Sequence, residues 1–367
     1  MPFAAVAALA GASAFAGAWD SGNTWFVATN GADVAASSGG GTEAAPFRTL
    51  QFAHDQASAG DTIKLAPGVY AEGEVGDGKH TNRLVVAKKL RFRSTDGKAK
   101  TVIEGRLENG SYGLTAVRCV SVKSTGYDCE FHDLTFRNGG GGTNSADSVG
   151  ASCGLGGCIY VAGSRDAAAG ADHHRAYFVD CDIVGGVTRN YGGGMYGGTA
   201  IRCLIRDCKG NSWGSSACAA MLWNCVVFND LNTSGTGSSS RPAIGFSAVA
   251  VNCTVYGARR SGCDRNARLY NTFIVNSGTY DYHSYKDSWA IQRYNCVGGS
   301  ETNDLYQLMS PATGDFRPIA GKPIVGGGLT SYLTNSAVIK LPEDTEMTDF
   351  NGNPLDLESE TCSVGAV

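Results

Sequence analysis

The residues best suited to chemistry lie in or near one insertion, the twelve-residue segment SRDAAAGADHHR at residues 164–175. Histidine exchanges a proton near neutral pH, and arginine neutralises a carboxylate. Cleavage of a uronic acid polymer by β-elimination needs both functions, because the substrate carboxylate must be neutralised and a base must remove the adjacent proton. The insertion and the later segment VTRNY therefore supply the predicted catalytic residues, which are His173, His174, Arg175 and Arg189.

Tyrosines and one carboxylate complete the predicted site. Tyr160 and Tyr196 follow the equivalent apolar residues Ile159 and Met195, so the alternation along a strand turns both rings outward on successive coils. Two exposed rings in register form a flat platform for sugars. Ordinary packing of the tyrosines, and a solvated DHHR loop, are the alternatives that the sequence leaves open. The predicted substrate-binding residues are Tyr160, Tyr191, Tyr196 and Asp172.

Evidence for other chemistry is weak. Asp166 and Asp172 suggest at most a weak calcium site, and no other metal or cofactor is predicted. Asp133 and Asp180 are of the residue type that a hydrolase pair needs, but both occupy a column of bend residues, which favours a turn role. The sequence contains no phosphate-binding loop, nucleophile elbow or HExxH motif.

A repeat must position these residues. Seven segments align without gaps, beginning with FHDLTFRNG, FVDCDIVGG and AIRCLIRDC. Their third column is mostly Asn or Asp, which tolerate a left-handed bend, and their sixth column is mostly Ile or Val, which suits an interior. Fourth-column positions 181, 203 and 225 lie 22 residues apart, whereas a helix-pair repeat needs roughly 33 residues. The pattern predicts short strands stacked in a solenoid, with three strands per coil and an Asn bend between the second and third.

The chain has 13 cysteines, and five of them occupy the fourth column of the repeat. Stacking places neighbouring Cβ atoms about 4.8 Å apart, beyond the reach of a relaxed disulfide, so buried thiols are predicted there. A metal site is disfavoured, because metal ligands converge on a point and a ladder follows an axis. Two pairs outside the column, Cys153 with Cys158 and Cys208 with Cys218, are the disulfide candidates.

Composition limits the partners and the location. The formal net charge is -4, and no run of Lys or Arg is long enough to form a nucleic-acid stripe, so a nucleic-acid partner is disfavoured. The apolar residues 1–18 end in Ala16-Gly17-Ala18, which fits a signal peptide and predicts a secreted or cell-surface protein; a buried N-terminal helix is the alternative. No later segment approaches the roughly 20 apolar residues that a membrane span requires.

Segments near both ends resemble known proteins. The segment from Thr24 to Gly73, with its motifs PFRTLQ, GDTIKL and GVY, resembles the opening of pectate-lyase-like right-handed parallel β-helix proteins. GDFRPIAGKPIVGGG from Gly314 and the later DFNGNPLDLESETCSVGAV resemble the C-terminal segment of many secreted bacterial proteins of this fold. The resemblance implies an all-β, single-stranded right-handed parallel β-helix solenoid with an N-terminal capping helix near Thr49 to Ala59. The expected divisions are a signal peptide at 1–18, a cap and first coils at 19–110, the main β-helix at 111–300, and a C-terminal segment at 301–367 that packs on or caps the solenoid.

Two functional hypotheses follow. The first is an extracellular protein that binds or cleaves an acidic polysaccharide in the manner of a polysaccharide lyase. The second is a non-catalytic adhesin or structural protein, with self-association through the ends of the solenoid as one route to assembly. The catalytic motifs of polygalacturonase-like hydrolases and classical pectate lyases are missing from the sequence, so this resemblance indicates a fold more than an activity.

Overall fold

Nearly all regular structure in the described part of the chain consists of short strands. The computed structural model describes residues 22–142 except 79, 154–163, 175–229 except 212 and 213, 231, 242–283 except 260, 265, 276, 278 and 279, and the stretches 292–294, 308–310, 315–318, 328–329, 341, 345, 347–359 and 361–362.

Three long sheets, here called A, B and C, contain most of the described strands, and all their pairings are parallel apart from Val75–Gly76 with Thr81–Val86 in sheet C. Sheet A contains Thr24–Val27, Thr62–Leu65, Arg91–Ser94, Cys129–His132, Ala176–Val179, Thr199–Ile201, Met221–Trp223, Val249–Val251, Arg268–Tyr270 and Gln292–Tyr294. Sheet B contains Gly68–Tyr70, Thr101–Glu104, Thr135–Arg137, Asp182–Val184, Leu204–Arg206, Val226–Phe228, Thr254–Tyr256 and Phe273–Val275. Sheet C contains Val75–Gly76, Thr81–Val86, Arg118–Val122, Ile159–Val161, Met195–Tyr196, Ala217–Cys218, Pro242–Gly245, Ser261–Asp264 and Tyr280–His283.

Smaller elements accompany the three sheets. Sheet D, which the sequence did not predict, lies between sheets B and C along the chain and contains Gly140–Gly141, Val187–Thr188 and Lys209–Gly210. The remaining elements are the antiparallel pairs Leu308–Ser310 with Asp315–Pro318 and Gly328–Leu329 with Thr361–Cys362, the α-helix Leu50–Gln56, and the 3-10 helices Ala36–Ser38 and Ser124–Gly126.

Each coil passes through sheets C, A and B in turn, and equivalent strands of successive coils pair in register. Parallel sheets require burial of their inner faces, and here those faces meet in a single apolar interior. Phe92, Phe131 and Phe178 occupy one interior column of sheet A, and their rings stack at centroid distances of 4.8 and 5.0 Å. The predicted fold, a solenoid of parallel coils, is confirmed.

The predicted bend before each cysteine is also present. The described third-column residues all have a positive φ of about 50°, from 46° at Asn271 to 56° at Asp133. Asp and Asn adopt this left-handed conformation more readily than other residues with a side chain, because their short polar groups bond locally. The equivalent residue Arg202, with a φ of 52°, shows that the repeat imposes the bend on other residue types too.

The cysteine ladder is as predicted in its described part. Cys181, Cys203, Cys225 and Cys253 are buried thiols, and the backbone N–H of Cys203 lies 3.4 Å from the Sγ of Cys225. Burial raises the pKa of the first three thiols well above its usual value, so they behave as small apolar side chains.

Of the two predicted disulfides, one is wrong and the other includes a cysteine outside the described residues. The pair Cys208 with Cys218 was wrong: both are buried thiols, and Cys218 lies on the outer face of sheet C while Cys208 lies in the interior against the carbonyl oxygens of Ile183 and Arg206. Cys158 is likewise a buried thiol, and Cys153 lies outside the described residues.

The two ends of the chain pack on the coils where they are described. Helix Leu50–Gln56 begins after Thr49, whose Oγ1 accepts from the backbone N–H of Phe52, and its residues Leu50 and Ala53 join the core. Closure of the open end by this helix stays a prediction. Near the C-terminus, Met347 and Leu355 pack on the outer face of sheet A beside Trp223. Residues 1–18 lie outside the described part of the chain.

No described helix is both long and apolar enough to cross a membrane.

Candidate functional site

The predicted tyrosine platform is only partly correct. Ile159 and Met195 point into the core, and Tyr160 pairs in register with Tyr196, so the predicted alternation is confirmed. The rings of Tyr160 and Tyr196 stack with their centroids 5.9 Å apart. The expectation that both rings are exposed was wrong, because Tyr196 is 1 % exposed and only Tyr160 is partly accessible.

Tyr191 does not join a surface platform either. It is 4 % exposed, and its ring stacks on Phe246 at 5.8 Å within an apolar cluster on the outer face of sheet C. Phe246 lies more than fifty residues later in the sequence. The cluster buries the tyrosine by a contact that alternation within one strand does not reveal.

Arg175 is exposed, and the carboxylate of Asp128 binds its guanidinium. Its Nε donates to Asp128 Oδ1 at 2.8 Å, its Nη2 bonds to the other carboxylate oxygen, and its guanidinium lies over the ring of Tyr127. Arg175 directly precedes a strand of sheet A, whereas Arg189 follows a strand of sheet D and leads into sheet C. The structure therefore places the two arginines at opposite edges of sheet C. Residues 164–174, the rest of the loop that was predicted to form a groove with Arg189, lie outside the described residues.

The other predicted site residues, Asp172, His173 and His174, lie outside the described residues, as does Asp166 of the suggested calcium site. Within the part of the chain that is described, no group of three or more His, Cys, Asp or Glu side chains is arranged to hold a metal ion.

Four cations lie on three consecutive coils beside sheet D, between the last residues of the sheet B strands and the loops that lead into sheet C. Arg137 and Arg206 belong to one outer column of sheet B, with Val184 between them, so they are two coils apart, or roughly 10 Å along the axis. Their side chains are 39 % and 41 % exposed. Arg189 lies on the same coil as Val184, just after its sheet D strand. Lys209 lies on the same coil as Arg206, in the sheet D strand. Both side chains are half-buried. We call Arg137, Arg189, Arg206 and Lys209 the basic edge.

An aromatic ring lies beside these cations. Tyr112 is half-buried, and its hydroxyl accepts from Asn211 Nδ2 at 3.1 Å. Gly142 separates the tyrosine from Arg189: a Cβ built on this glycine would lie 2.8 Å from Arg189 Cβ and 3.5 Å from the ring of Tyr112. The backbone of Gly142 therefore allows the arginine stem and the tyrosine ring to approach each other.

Carboxylates bind two of the cations of the basic edge. Arg137 forms a bidentate pair with Glu104, and these hydrogen bonds hold the pKa of the Glu104 carboxyl below its usual value. Arg206 bonds to its neighbour Asp207.

A second group of charges is buried beneath Tyr160. Arg118 is fully buried, and its Nε and Nη2 donate to the carbonyl oxygens of Gly156 and Leu155 at 2.6 and 2.8 Å. Its Nη1 donates to Asn82 Oδ1 at 2.9 Å and lies 3.4 Å from Asp77 Oδ2. The face of its guanidinium lies 5.1 Å from the ring centroid of Tyr160. Arg118 is thus fixed in position and points to no ligand itself.

His80 beside this network makes stability depend on pH. Burial, then the charge of Arg118, lowers the pKa of His80 from 6.5 to about 4, although the ring donates to Gly140 O at 2.7 Å. The folded chain therefore binds a proton less readily than the unfolded chain. Stability is full above pH 6.5 and falls as the pH drops toward 4, by about 2 kcal/mol between pH 7 and pH 5.

Urea denaturation at pH 7 and pH 5 tests this dependence. We expect His80→Gln, which keeps an N–H donor for Gly140 but does not titrate, to lose most of the difference. An equal difference in the variant and the natural chain would contradict the role of His80.

The acidic pair singled out in the sequence has a structural role in the bend. Asp133 and Asp180 both have a positive φ, of 56° and 54°. Arg202 on the next coil donates to both oxygens of Asp180 at 2.8 and 2.7 Å. Burial, then the neighbouring charge of Asp180, raises the pKa of Asp133. These contacts support the turn role that was favoured over a hydrolase pair.

Comparison with solved structures shows the fold alone. A pectate lyase, Pel9A, superposes over 94 % of this chain and 96 % of its own with a TM-score of 0.51 and 11 % identity. This chain shares the fold of that lyase. A rhamnogalacturonan lyase aligns over 91 % of the chain at a TM-score of 0.45 and 14 % identity, and the pectin methylesterase PemA from Erwinia chrysanthemi aligns over 80 % at 0.40 and 13 %.

Sequence comparison adds little about function. No family model matches the chain. An uncharacterized protein of Bacillus subtilis (strain 168), YwoF, is 28 % identical over 154 residues, which are 42 % of this chain and 29 % of that protein. The matched part thus spans less than a third of its relative. Identification of the activity therefore depends on the site itself.

Proposed function

We propose that this protein binds an acidic polysaccharide along the basic edge and cleaves it by β-elimination. The observation that carries the proposal is the presence of four partly accessible cations on three consecutive coils beside sheet D. Cations repeated along an axis suit a polymer with repeated negative charges better than a small anion, which would need them to converge on one point. A secreted or cell-surface location, predicted from residues 1–18, belongs to the same proposal.

Tyr112 adds the feature that distinguishes a sugar polymer from another polyanion. Its ring is partly accessible beside Arg189, and its hydroxyl is already oriented by Asn211. An aromatic face packs on the apolar side of a sugar ring, and a neighbouring arginine binds a carboxylate with two parallel hydrogen bonds. Tyr112 and Arg189 therefore match the two sides of one uronic acid unit.

The reaction follows from the same pairing. Arg189 would neutralise the uronate carboxylate and so acidify the neighbouring C–H bond, which is the step that β-elimination requires. The base predicted from the sequence is His173 or His174. A binding protein without catalysis is the alternative, and it shares the basic edge but not the reaction.

Incubation with pectate, alginate and glycosaminoglycans tests the proposal. Binding is measured by gel retardation, and cleavage by the ultraviolet absorbance of the unsaturated product. We expect Arg189→Gln/Lys209→Gln to bind the preferred polymer about tenfold more weakly, a change of about 1.4 kcal/mol. Arg48→Gln, which removes a half-exposed arginine beside helix Leu50–Gln56, is the matched control and should bind within about twofold of the natural chain.

Each outcome has a definite meaning. Binding and new absorbance support the whole proposal, and binding without absorbance, with and without calcium, supports the non-catalytic adhesin or structural protein instead. Equal loss of affinity in the double variant and in the Arg48 control, or no binding to any acidic polymer, would overturn the proposal.

A further inference from the structure

We propose that the acidic chain lies along the axis of the solenoid on the outer face of sheet B, with one sugar on each coil from Arg137 to Phe228, and that Phe228 packs against the sugar next to the basic edge. The inference rests on the proposed binding of an acidic polysaccharide and gives it a direction, a minimum length and an aromatic subsite. It does not depend on cleavage.

One outward column of sheet B connects these side chains. In-register pairing places six residues at the same position of successive coils, namely Glu104, Arg137, Val184, Arg206, Phe228 and Tyr256. Each of them follows a residue of the core, so the alternation along a strand turns all six side chains outward. We call this set the outer column, and its neighbouring members are one coil apart, or about 4.8 Å.

Arg206 presents the side of its guanidinium that suits a carboxylate. Its Nη1 bonds to Asp207, whose carboxylate also accepts from the side-chain amide of Asn229. Within the described residues, Nε and Nη2 of Arg206 make no hydrogen bond, and the side chain is 41 % exposed. These two nitrogens can bind one carboxylate with two parallel hydrogen bonds. Asp207 therefore fixes the guanidinium and leaves its Nε and Nη2 for a ligand.

Arg137 and Glu104 set the end of the track. Nε and Nη2 of Arg137 donate to Glu104, so only Nη1 remains for a ligand, and this arginine is the weaker anchor of the two. Glu104 comes just before Arg137 in the outer column, and its carboxylate would repel a further acidic sugar. A bound polyanion is therefore expected to extend from Arg137 toward Arg206 and not past Glu104.

Phe228 follows Arg206 in the outer column and is partly accessible. Its ring centroid lies 5.9 Å from that of Tyr256 on the next coil, whereas the interior rings of Phe92 and Phe131 stack at 4.8 Å. The larger distance shows that Phe228 and Tyr256 are offset, so neither ring covers the whole face of the other. Tyr256 is 9 % exposed, and Phe228 is therefore the ring of this pair that a ligand can reach.

The described part of the C-terminal segment lies beside this track. The ring of Phe350 is 5.8 Å from Lys98 Nζ, and Lys98 pairs with Asp182 at 2.8 Å. Asp182 begins its strand of sheet B, next to the bend from sheet A, whereas Arg206 ends its strand on the side of sheet D. Phe350 thus occupies the side of sheet B toward the bend, and the outer column lies on the other side.

A linear chain of pyranoses fits the spacing of the outer column. Coils repeat about every 4.8 Å, which is roughly the length of one sugar unit in an extended chain. Arg137, Arg189 and Arg206 provide a cation for a carboxylate on each of three coils. On the fourth coil the ring of Phe228 packs against the C–H face of a sugar, a contact that needs no charge. The ligand is therefore a linear acidic oligosaccharide of at least four units.

Two lengths of oligosaccharide test whether one chain spans the column. The probes are digalacturonate and tetragalacturonate, with mannuronate oligomers of the same lengths as a second series. We expect Arg137→Gln and Phe228→Leu each to weaken binding of the tetramer about fivefold. At most one of the two substitutions should weaken binding of the dimer, because a dimer covers two coils and reaches only one end. Calorimetry measures the affinity, and ultraviolet absorbance in parallel detects any cleavage.

Two further variants act as controls. Phe228→Tyr keeps the ring and should bind the tetramer as tightly as the natural chain. Phe26→Leu removes a partly accessible ring that lies beside Lys64 on sheet A, and it should also leave the affinity unchanged. Urea denaturation of each variant shows whether the coils are intact.

The results that overturn this inference differ from those that overturn the proposed function. Tetramer affinity that is unchanged in Phe228→Leu, or equally lowered in Phe228→Leu and Phe228→Tyr, excludes the aromatic subsite. Weaker binding of the dimer in both Arg137→Gln and Phe228→Leu excludes the axial track. Either result leaves binding at the basic edge in place. A natural chain that binds none of the oligomers removes the proposed function and this inference together.

Discussion

Replacement of Phe131 by alanine is expected to lower the free energy of unfolding by about 3–5 kcal/mol. The side chain is fully buried and lies between Phe92 and Phe178, with interplanar angles of 8° and 2°. It also meets the edge of Phe136 at 5.6 Å. Each coil buries its apolar face only against its two neighbours, so a cavity at this position weakens contacts on both sides at once.

Urea denaturation followed by circular dichroism measures this loss. Phe131→Leu, which keeps most of the volume, should lose less than half as much as the alanine variant. A loss below about 1 kcal/mol for Phe131→Ala would contradict the interior column, because truncation of a fully packed phenylalanine costs several times that amount.

Replacement of Arg118 by methionine is expected to cost a similar 3–5 kcal/mol. Methionine replaces the unbranched stem of the arginine but makes none of its hydrogen bonds, so the carbonyl oxygens of Leu155 and Gly156 lose their donors. Asp77, whose side chain is 8 % exposed, loses the cation beside it. A buried charge without its partner is the larger part of the expected cost.

Arg106→Met is the matched control for this variant. Arg106 also bonds to a glutamate and to a carbonyl oxygen, but its side chain is 46 % exposed, and exposed ion pairs contribute at most about 1 kcal/mol. Similar unfolding free energies for the Arg118 and Arg106 variants would show that the buried network does not stabilise the coils.

The repeat predicted the coil in detail because its constraints are local. A left-handed bend needs a suitable residue at one position, and an interior column needs apolar residues at a fixed spacing. Asn224, Asn252 and Asn271 meet the first condition, and Ile183 and Val227 meet the second. Both patterns are visible in single segments of the sequence.

The outer surface could not be predicted in the same way. Alternation shows that Tyr191 and Trp223 leave the core, but not that Phe246 stacks on one and Met347 packs beside the other. These partners are far away in the sequence. Asp128, which binds Arg175, lies 47 residues before it and carries no motif.

The sequence contains a signal for part of the basic edge. Arg137 and Arg206 occupy the same seventh column of the aligned segments, one residue after the interior column that holds Phe136 and Ile205. Cations that recur in one outward column predict a charged stripe along the axis. Lys209 belongs to sheet D, which was not foreseen, so its place beside them required the structure.

Carbodiimide cross-linking of the protein to an acidic polysaccharide tests the central claim most directly, because the reagent joins an amine only to a carboxylate that touches it. After digestion, mass spectrometry should find sugar attached to Lys209, at the basic edge. Attachment to Lys64 or Lys123 without any at Lys209 would place the polymer on another face of the coils and contradict the account.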